Sequence, residues 1–126
     1  MIVSVASRPG FDHETLDVYG VSLDFISFAH EVIAAFPRGR SSLANQLERA
    51  SLSITLNTAE GSGEPSPKEK VRSYRMALRS GAECAAVLDV ARRLDAITEG
   101  KTQMGKEWVN RIAAMLLVLI RRHEGR

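Results

Sequence analysis

Residues 43–61, LANQLERASLSITLNTAEG, carry the pattern that decides the fold. Apolar side chains recur there at the three- and four-residue spacing of one helical face, at Leu43, Leu47, Ala50 and Ile54. A polar row runs beside them at the same spacing, formed by Arg49, Ser53, Asn57 and Glu60. Gly61 then stands where a left-handed glycine often ends a helix. The stretch predicts an amphipathic helix with a polar ladder next to its core seam.

Three further segments share this periodicity, so the sequence predicts four helices, at about residues 17–36, 41–60, 67–94 and 106–122. Turn-forming residues separate them, including a proline and a glycine in each of the first two connections. Ser41 or Ser42 is predicted to cap the second helix, and Ser66, Pro67 and Glu69 form a capping-box pattern for the third. Residues 97–105 are predicted to be a loop. No strand pattern of useful length occurs outside residues 1–6, which indicates an all-α, antiparallel up-down-up-down four-helix bundle.

The same periodicity predicts which side chains form the core. On the first helix these are Tyr19, Ser22, Ile26, Ala29, Ile33 and Phe36, widened by Phe25 and Val32. On the third they are Val71, Tyr74, Leu78, Gly81, Ala82, Ala85, Leu88 and Ala91, and on the fourth Trp108, Ile112, Met115, Leu116 and Leu119. Gly81 in mid-helix predicts a close approach by a neighbouring helix. Cys84, the single cysteine, is interpreted as a small buried residue and not as a nucleophile.

The chain of 126 residues is long enough for one domain with its own core. We expect residues 1–15 to form a flexible N-terminal segment and residues 16–124 to form the bundle domain. The longest strongly apolar run, residues 112–120, is shorter than the roughly 20 residues that span a bilayer. No signal peptide is recognisable. We therefore expect a cytoplasmic protein without membrane contact.

Charge is unevenly distributed, although the net charge is only +2. Residues 9–37 contain no lysine or arginine and five acids, whereas residues 65–81 are strongly basic. Four of those cations share one predicted face of the third helix: Lys68, Arg72, Arg75 and Arg79. We call this row the basic stripe, and we expect Arg38 and Arg40 to lie near it. It is interpreted either as a nucleic-acid-binding surface without base-reading groups, or as a solvated face or a contact with the acidic first helix of another copy.

The polar ladder also has two interpretations, both of which include Glu83 of the third helix. Glu60 and Glu83 could share a proton or hold a metal ion as a carboxylate-based active site. Alternatively, an Arg49–Glu83 ion pair with hydrogen bonds from Ser53 and Asn57 could fix helix register. The sequence favours the structural interpretation, since the Glu-x-x-His motifs of di-metal bundles are missing. We accordingly expect no catalytic residues, no metal and no cofactor.

Two groups of residues resemble a known family. They are Gln46, Arg49, Ala50, Ser53, Ile54, Asn57, Ala59, Glu60 and Gly61 on the second helix, and Ala77, Leu78, Ser80, Ala82 and Glu83 on the third. The pattern is similar to that of the four-helix bundle proteins encoded in bacterial 23S rRNA intervening sequences, over about residues 17–122. The family's helix-two isoleucine is Thr58 here, and its helix-three glycine is Arg79.

The resemblance implies an antiparallel bundle that assembles into ring-like homopentamers, without an assigned biochemical activity. Similar proteins are accessory subunits of diversity-generating retroelements, so RNA, DNA and a reverse transcriptase are the partners that the resemblance implies. We therefore expect a non-enzymatic, oligomeric accessory or scaffold protein that binds nucleic acid. The alternative is a self-assembling protein-interaction module without nucleic-acid contact.

Overall fold

The fold is an antiparallel four-helix bundle, seen in a computed structural model that describes residues 16–125. Its helices are α1 (Asp17–Ala34), α2 (Ser41–Gly63), α3 (Pro67–Arg93) and α4 (Glu99–His123). Each helix packs against its neighbours in sequence, and α1 also packs against α4. The bundle is thereby closed, with α1 diagonally opposite α3. The predicted all-α up-down-up-down architecture is confirmed.

The core runs along the bundle axis between all four helices. On α2 the predicted stripe is confirmed at Leu47, Ala50 and Ile54, which are buried. On α1 the prediction is confirmed at Ser22, Phe25, Ala29 and Val32. The buried face also includes Val18, Val21 and Phe28, which were not predicted, so its centre is displaced. Tyr19 and Ile26 lie at the edge of this face and are only half-buried. The error arose because α1 is apolar on two adjacent sides, so helical periodicity alone does not locate the centre of its buried face.

Helix α2 ends later than predicted, since it continues through Gly61 to Gly63. Gly61 is therefore inside the helix and not a terminating glycine. A Cβ at this position would lie 2.7 Å from Cε1 of Tyr74, so the glycine permits close packing of α2 on α3. The predicted caps at the other end are also wrong. The helix begins at Ser41, Arg40 occupies the N-cap position, and no side chain caps it.

Helix α4 begins at Glu99, so the predicted loop over residues 97–105 is largely helical. Thr98 is its N-cap, and the Thr98 hydroxyl accepts a hydrogen bond of 3.1 Å from the backbone N–H of Lys101. Glycines in this segment suggested a loop, but one of them has a packing role. A Cβ on Gly105 would lie 2.6 Å from Cδ1 of Leu88 and 3.0 Å from Cε2 of Phe28. Tertiary packing thus overrides the low helix propensity of glycine here.

The ends of α3 have well-defined local structure. The predicted cap is confirmed, because the Ser66 hydroxyl accepts from the backbone N–H of Glu69 and proline occupies the first helical position. At the other end Asp95 has a φ of 57°, and the N–H of Ala96 donates to the carbonyl of Ala91 at 2.8 Å. This arrangement is a Schellman-type helix end with aspartate where glycine is usual.

Two predictions about α3 have opposite outcomes. The prediction of a close approach at Gly81 is wrong, because a Cβ there would meet its nearest neighbour, Cγ1 of Val109, at an ordinary distance of 3.7 Å. The interpretation of Cys84 is confirmed, since the side chain is fully buried in the core. Burial raises the pKa of the Cys84 thiol to about 12, with a smaller contribution from the negative charge of Glu83. A thiol with this pKa is protonated and unreactive near neutral pH.

The length and hydropathy of the helices bear on membrane insertion. No helix within residues 16–125 is both long enough and apolar enough to cross a bilayer. The predicted flexible segment over residues 1–15 lies outside the described part of the chain.

Candidate nucleic-acid interface and polar network

The basic stripe lies on the outer face of α3. All four of its side chains, Lys68, Arg72, Arg75 and Arg79, are exposed. The opposite face of the same helix carries the buried residues Tyr74, Ala77, Gly81, Cys84 and Leu88. The stripe extends over twelve residues, from Lys68 to Arg79, so its ends are about 16 Å apart along the helix at 1.5 Å per residue. It therefore forms a continuous cationic row that points away from the core.

Acidic side chains partly neutralise the stripe. The Arg75 guanidinium pairs with the carboxylate of Glu124, just after the end of α4. Arg72 lies 3.8 Å from Glu69, one turn earlier on α3. Among residues 16–125, Lys68 and Arg79 make no ion pair. At least two of the four cations thus keep their charge uncompensated within the described bundle.

Arg38 and Arg40 do not join the stripe, contrary to expectation. Both belong to the α1–α2 connection, at the start of α2, whereas the basic stripe begins beside the end of α2. The contact that shows this register comes from Lys70, whose ammonium donates to the carbonyls of Gly61 at 3.2 Å and Ser62 at 2.7 Å. Since α2 is 23 residues long, about 33 Å of helix separates its two ends.

An acidic row lies on the opposite side of the molecule. Asp17, Asp24 and Glu31 are exposed and recur every seven residues, which places them along one side of α1. We call these three residues the acidic stripe. Because α1 is diagonally opposite α3, the acidic and basic stripes face away from each other. A single molecule cannot pair them, but two neighbouring copies can.

The polar ladder is anchored by an ion pair between α2 and α3. Nη2 of Arg49 donates to Oε2 of Glu83 across 2.6 Å, and the same nitrogen donates to the side-chain amide oxygen of Gln46. The side chains of Arg49 and Glu83 are 62% and 37% exposed. The pair therefore lies at the surface, and its contribution to stability is that of a solvated salt bridge.

A chain of hydrogen bonds continues the ladder between the same two helices. Nδ2 of Asn57 donates to the Ser53 hydroxyl at 3.0 Å, and the Ser53 and Ser80 hydroxyls share a bond of 2.8 Å. The Ser80 hydroxyl donates onward to the carbonyl of Met76 at 3.1 Å. Ser53 is therefore the donor to Ser80, which gives the chain one direction. These groups bond to one another and to backbone carbonyls, which is the arrangement of a structural network between two helices.

Glu60 is not part of this network. Its side chain is exposed, and it forms no hydrogen bond or ion pair within the described residues. The carboxylate of Glu83, by contrast, is bound to Arg49. The two carboxylates therefore do not form the shared-proton arrangement considered from the sequence. Within residues 16–125, no three histidine, cysteine, aspartate or glutamate side chains are grouped to bind a metal ion.

Sequence reasoning missed three features of the surface. It did not assign Lys70 to the end of α2, nor Ser80 to the hydrogen-bond chain. It also overlooked the apolar side chains on outward positions, of which Leu52, Leu56 and Val118 are exposed. The sequence did contain a signal for these exposed apolar residues. Leu52 and Leu56 are one turn apart, on the side of α2 away from its buried stripe.

The fold and these surfaces define an all-α bundle protein whose opposite charges lie on opposite faces. The chain belongs to the 23S rRNA-intervening sequence protein family, whose pattern matches residues 14–118. The family resemblance inferred from the polar ladder is thereby confirmed.

Among the solved structures that are similar in fold is a protein of unknown function from the S23 ribosomal protein family of Bacteroides thetaiotaomicron VPI-5482. It superimposes with a TM-score of 0.77 at 20% sequence identity, and the match covers 82% of this chain and 98% of that one. At this identity the likeness supports the fold alone. A comparison with curated proteins finds no match to this chain.

Proposed function

We propose that this chain is a non-enzymatic bundle protein that assembles with copies of itself and binds RNA or DNA through the outer face of α3. One observation carries the nucleic-acid part. The four cations of the basic stripe are exposed in a row, and two of them lack an acidic partner within the described residues. Duplex nucleic acid presents a phosphate about every 1.7 Å of its axis, so a row of about 16 Å can contact several phosphates.

The acidic partners of Arg72 and Arg75 do not prevent such binding. Both ion pairs are solvent-exposed, and exposed pairs contribute only about 0–1 kcal/mol. A phosphate group can displace Glu69 or Glu124 at little cost. No group of the stripe is held in a fixed geometry for reading base edges. The proposed binding is therefore driven by charge and is insensitive to sequence.

Self-assembly is supported by exposed apolar surface on α2, because a second copy would cover Leu52 and Leu56. A contact of this kind leaves the basic stripe free for nucleic acid. Contacts between different surfaces of two copies close into rings when the rotation between copies permits. The pentameric ring implied by the family resemblance is part of this proposal.

The non-enzymatic part of the proposal is supported by the fate of the two carboxylates. Glu83 is engaged by Arg49, and Glu60 points elsewhere on the exposed surface. Elemental analysis of the purified protein tests this part. Stoichiometric iron, manganese or zinc would contradict it.

A triple charge reversal, Arg72→Glu, Arg75→Glu and Arg79→Glu, tests the binding surface. Two quantities are measured on the wild type and the variant: affinity for a short RNA duplex of arbitrary sequence, and mass by light scattering. We expect the variant to lose RNA binding while it keeps its helical content and oligomeric mass. Unchanged RNA binding would contradict the proposal.

The second candidate is a self-assembling interaction module without nucleic-acid contact. The charge segregation between α1 and α3 favours it, because the basic stripe of one copy would then pair with the acidic stripe of a neighbouring copy. The same triple variant separates the two. If its oligomeric mass falls and the wild type shows no salt-dependent RNA binding, the interaction module is the better account.

A further inference from the structure

The C-terminal end of α4 carries three exposed charged residues beside the basic stripe. They are Arg121, Arg122 and Glu124. Two contacts hold this end against α3. The Arg75 guanidinium donates to the carboxylate of Glu124, and the rings of Tyr74 and His123 have centroids 6.3 Å apart. The end of α4 is therefore level with Arg75, inside the length of the stripe.

The two neighbouring arginines at this end point in different directions. Arg121 lies three positions before Glu124, and residues with this spacing share one side of a helix. Arg121 is therefore on the side of α4 that contacts α3. Arg122 is turned by about 100° from it, and lines an open cleft together with Asp17 and Val18 of α1. Of the two, Arg121 is the one placed to extend the basic stripe.

The antiparallel packing of α3 and α4 sets the level of Arg121. A step of three residues back from Glu124, about 4.5 Å, corresponds to a step from Arg75 towards Arg79. The axes of packed helices lie about 8–10 Å apart, so the two helices present these side chains next to each other. Like Arg79, Arg121 forms no ion pair within residues 16–125. Two uncompensated arginines from different helices thus flank the Arg75–Glu124 pair.

We infer that the nucleic-acid surface continues from α3 onto the end of α4, where Arg121 contacts phosphate and the negative charge of Glu124 weakens binding. This inference rests on the proposed function, because it assigns two further residues to the same surface. A phosphate that contacts Arg75 displaces the carboxylate of Glu124 and then lies near it, and both effects oppose binding. The side chains of Arg75 and Glu124 are 54% and 47% exposed, so water screens the pair and the carboxylate remains displaceable.

Salt-dependent binding of the full chain to a short RNA duplex of arbitrary sequence tests the role of Arg121. The variant is Arg121→Gln. The matched control is Arg122→Gln, which removes the same charge from the same turn, on the side towards α1. We expect Arg121→Gln to reduce the slope of log K against log salt concentration by about 1, whereas Arg122→Gln leaves the slope unchanged. Equal slopes for the two variants would overturn the role of Arg121.

The same assay at low salt tests the role of Glu124. The variant is Glu124→Gln, and the matched control is Glu107→Gln. Glu107 is an exposed acid of α4 without an ion pair within residues 16–125, about 25 Å from Glu124 along the helix. We expect Glu124→Gln to bind RNA about two- to fivefold more tightly than the wild type, and Glu107→Gln to bind as the wild type does. Damage to the fold would weaken binding, so the sign of the change is informative. An unchanged or weaker affinity of Glu124→Gln, or an equal gain in the control, would overturn the role of Glu124.

Failure of this inference is distinguishable from failure of the proposed function. If the wild type shows no salt-dependent RNA binding, both are wrong. A second outcome is that the wild type binds RNA and the triple charge reversal of α3 abolishes binding, while each α4 variant behaves as its control does. The basic stripe would then bind nucleic acid without α4, and the extension to Arg121 and Glu124 would be wrong.

Discussion

Arg49 of α2 and Glu83 of α3 are joined by a 2.6 Å contact between Nη2 and Oε2, although 34 positions separate them in sequence. The pair fixes the level at which α2 and α3 meet. Towards the end of α2, the next contact is the Ser53–Ser80 hydrogen bond, and the Gly61–Tyr74 contact follows farther along. The three contacts together define one antiparallel register. Because both side chains are substantially exposed, the pair aligns the helices more than it stabilises them.

The first prediction concerns the strength of this pair. Arg49→Ala, Glu83→Ala and the double variant are compared by urea unfolding in a double-mutant cycle. We expect a coupling energy of about 1 kcal/mol or less, since water screens both charges. A coupling of about 3 kcal/mol or more would indicate a buried pair and contradict the surface position.

Gly61 gives a prediction about close helix packing. Gly61→Ala places a methyl group 2.7 Å from Cε1 of Tyr74, whose ring is buried and cannot move freely. We expect a loss of about 1–3 kcal/mol of unfolding free energy, as for other overpacked cores. Gly20→Ala is the control, because Gly20 is helical and nothing lies within 4 Å of its Cβ position. That substitution should be neutral or should stabilise by up to about 1 kcal/mol. Equal effects at the two positions would contradict the packing argument.

Lys70 has a structural role that distinguishes it from the cations of the basic stripe, and a comparison with Lys68 tests this difference. Lys70→Met removes the ammonium that binds the Gly61 and Ser62 carbonyls at the end of α2. We expect it to lower the unfolding free energy by about 0.5–1.5 kcal/mol, with RNA affinity little changed. Lys68→Met, on the exposed face, should weaken RNA binding and leave the unfolding free energy little changed. If Lys68→Met destabilised the bundle as much as Lys70→Met, the assignment of Lys70 to the α2 end would be wrong.

The raised pKa of Cys84 leads us to expect a change in stability at high pH. The folded-state pKa of about 12 lies above the ordinary value of 9.0, so the folded protein holds this proton more tightly than the unfolded chain does. The contribution of Cys84 to stability is complete below pH 9 and is lost as the pH rises from about 9 towards 12. Unfolding free energies of the wild type and Cys84→Ala, measured from pH 8 to 10.5, isolate this effect. The difference between them should shrink with increasing pH, and a constant difference would contradict the raised pKa.

The parts of the fold that depend on local sequence were predictable. The buried stripe of α2 and the Ser66 cap of α3 each follow from residues within a few positions of one another. Gly61, Gly81 and Gly105 show where such reasoning fails. Gly61 and Gly105 permit a close contact with a neighbouring helix, whereas Gly81 does not, and a single sequence does not say which glycine faces such a helix. The early start of α4 was missed for this reason.

The candidate sites were predictable to a similar degree. The basic stripe was readable because its four residues belong to one helix and share one face. The partners of the ladder depend on the register between α2 and α3. That register selects Arg49 as the partner of Glu83 and leaves Glu60 exposed. An open cleft between the first turn of α1 and the last turns of α4 joins residues about a hundred positions apart, such as Val18 and Leu119, and no pattern within either segment predicts it.

The salt dependence of RNA binding tests the central claim, that the outer face of α3 contacts phosphates. Arg79→Gln is the sharpest variant, because Arg79 is exposed and makes no ion pair within residues 16–125. Arg38→Gln is the control, an exposed arginine near the opposite end of the bundle. We predict that log K falls with log salt concentration, and that Arg79→Gln reduces the slope by about 1 while Arg38→Gln leaves it unchanged. Identical slopes for the wild type and Arg79→Gln would contradict the account.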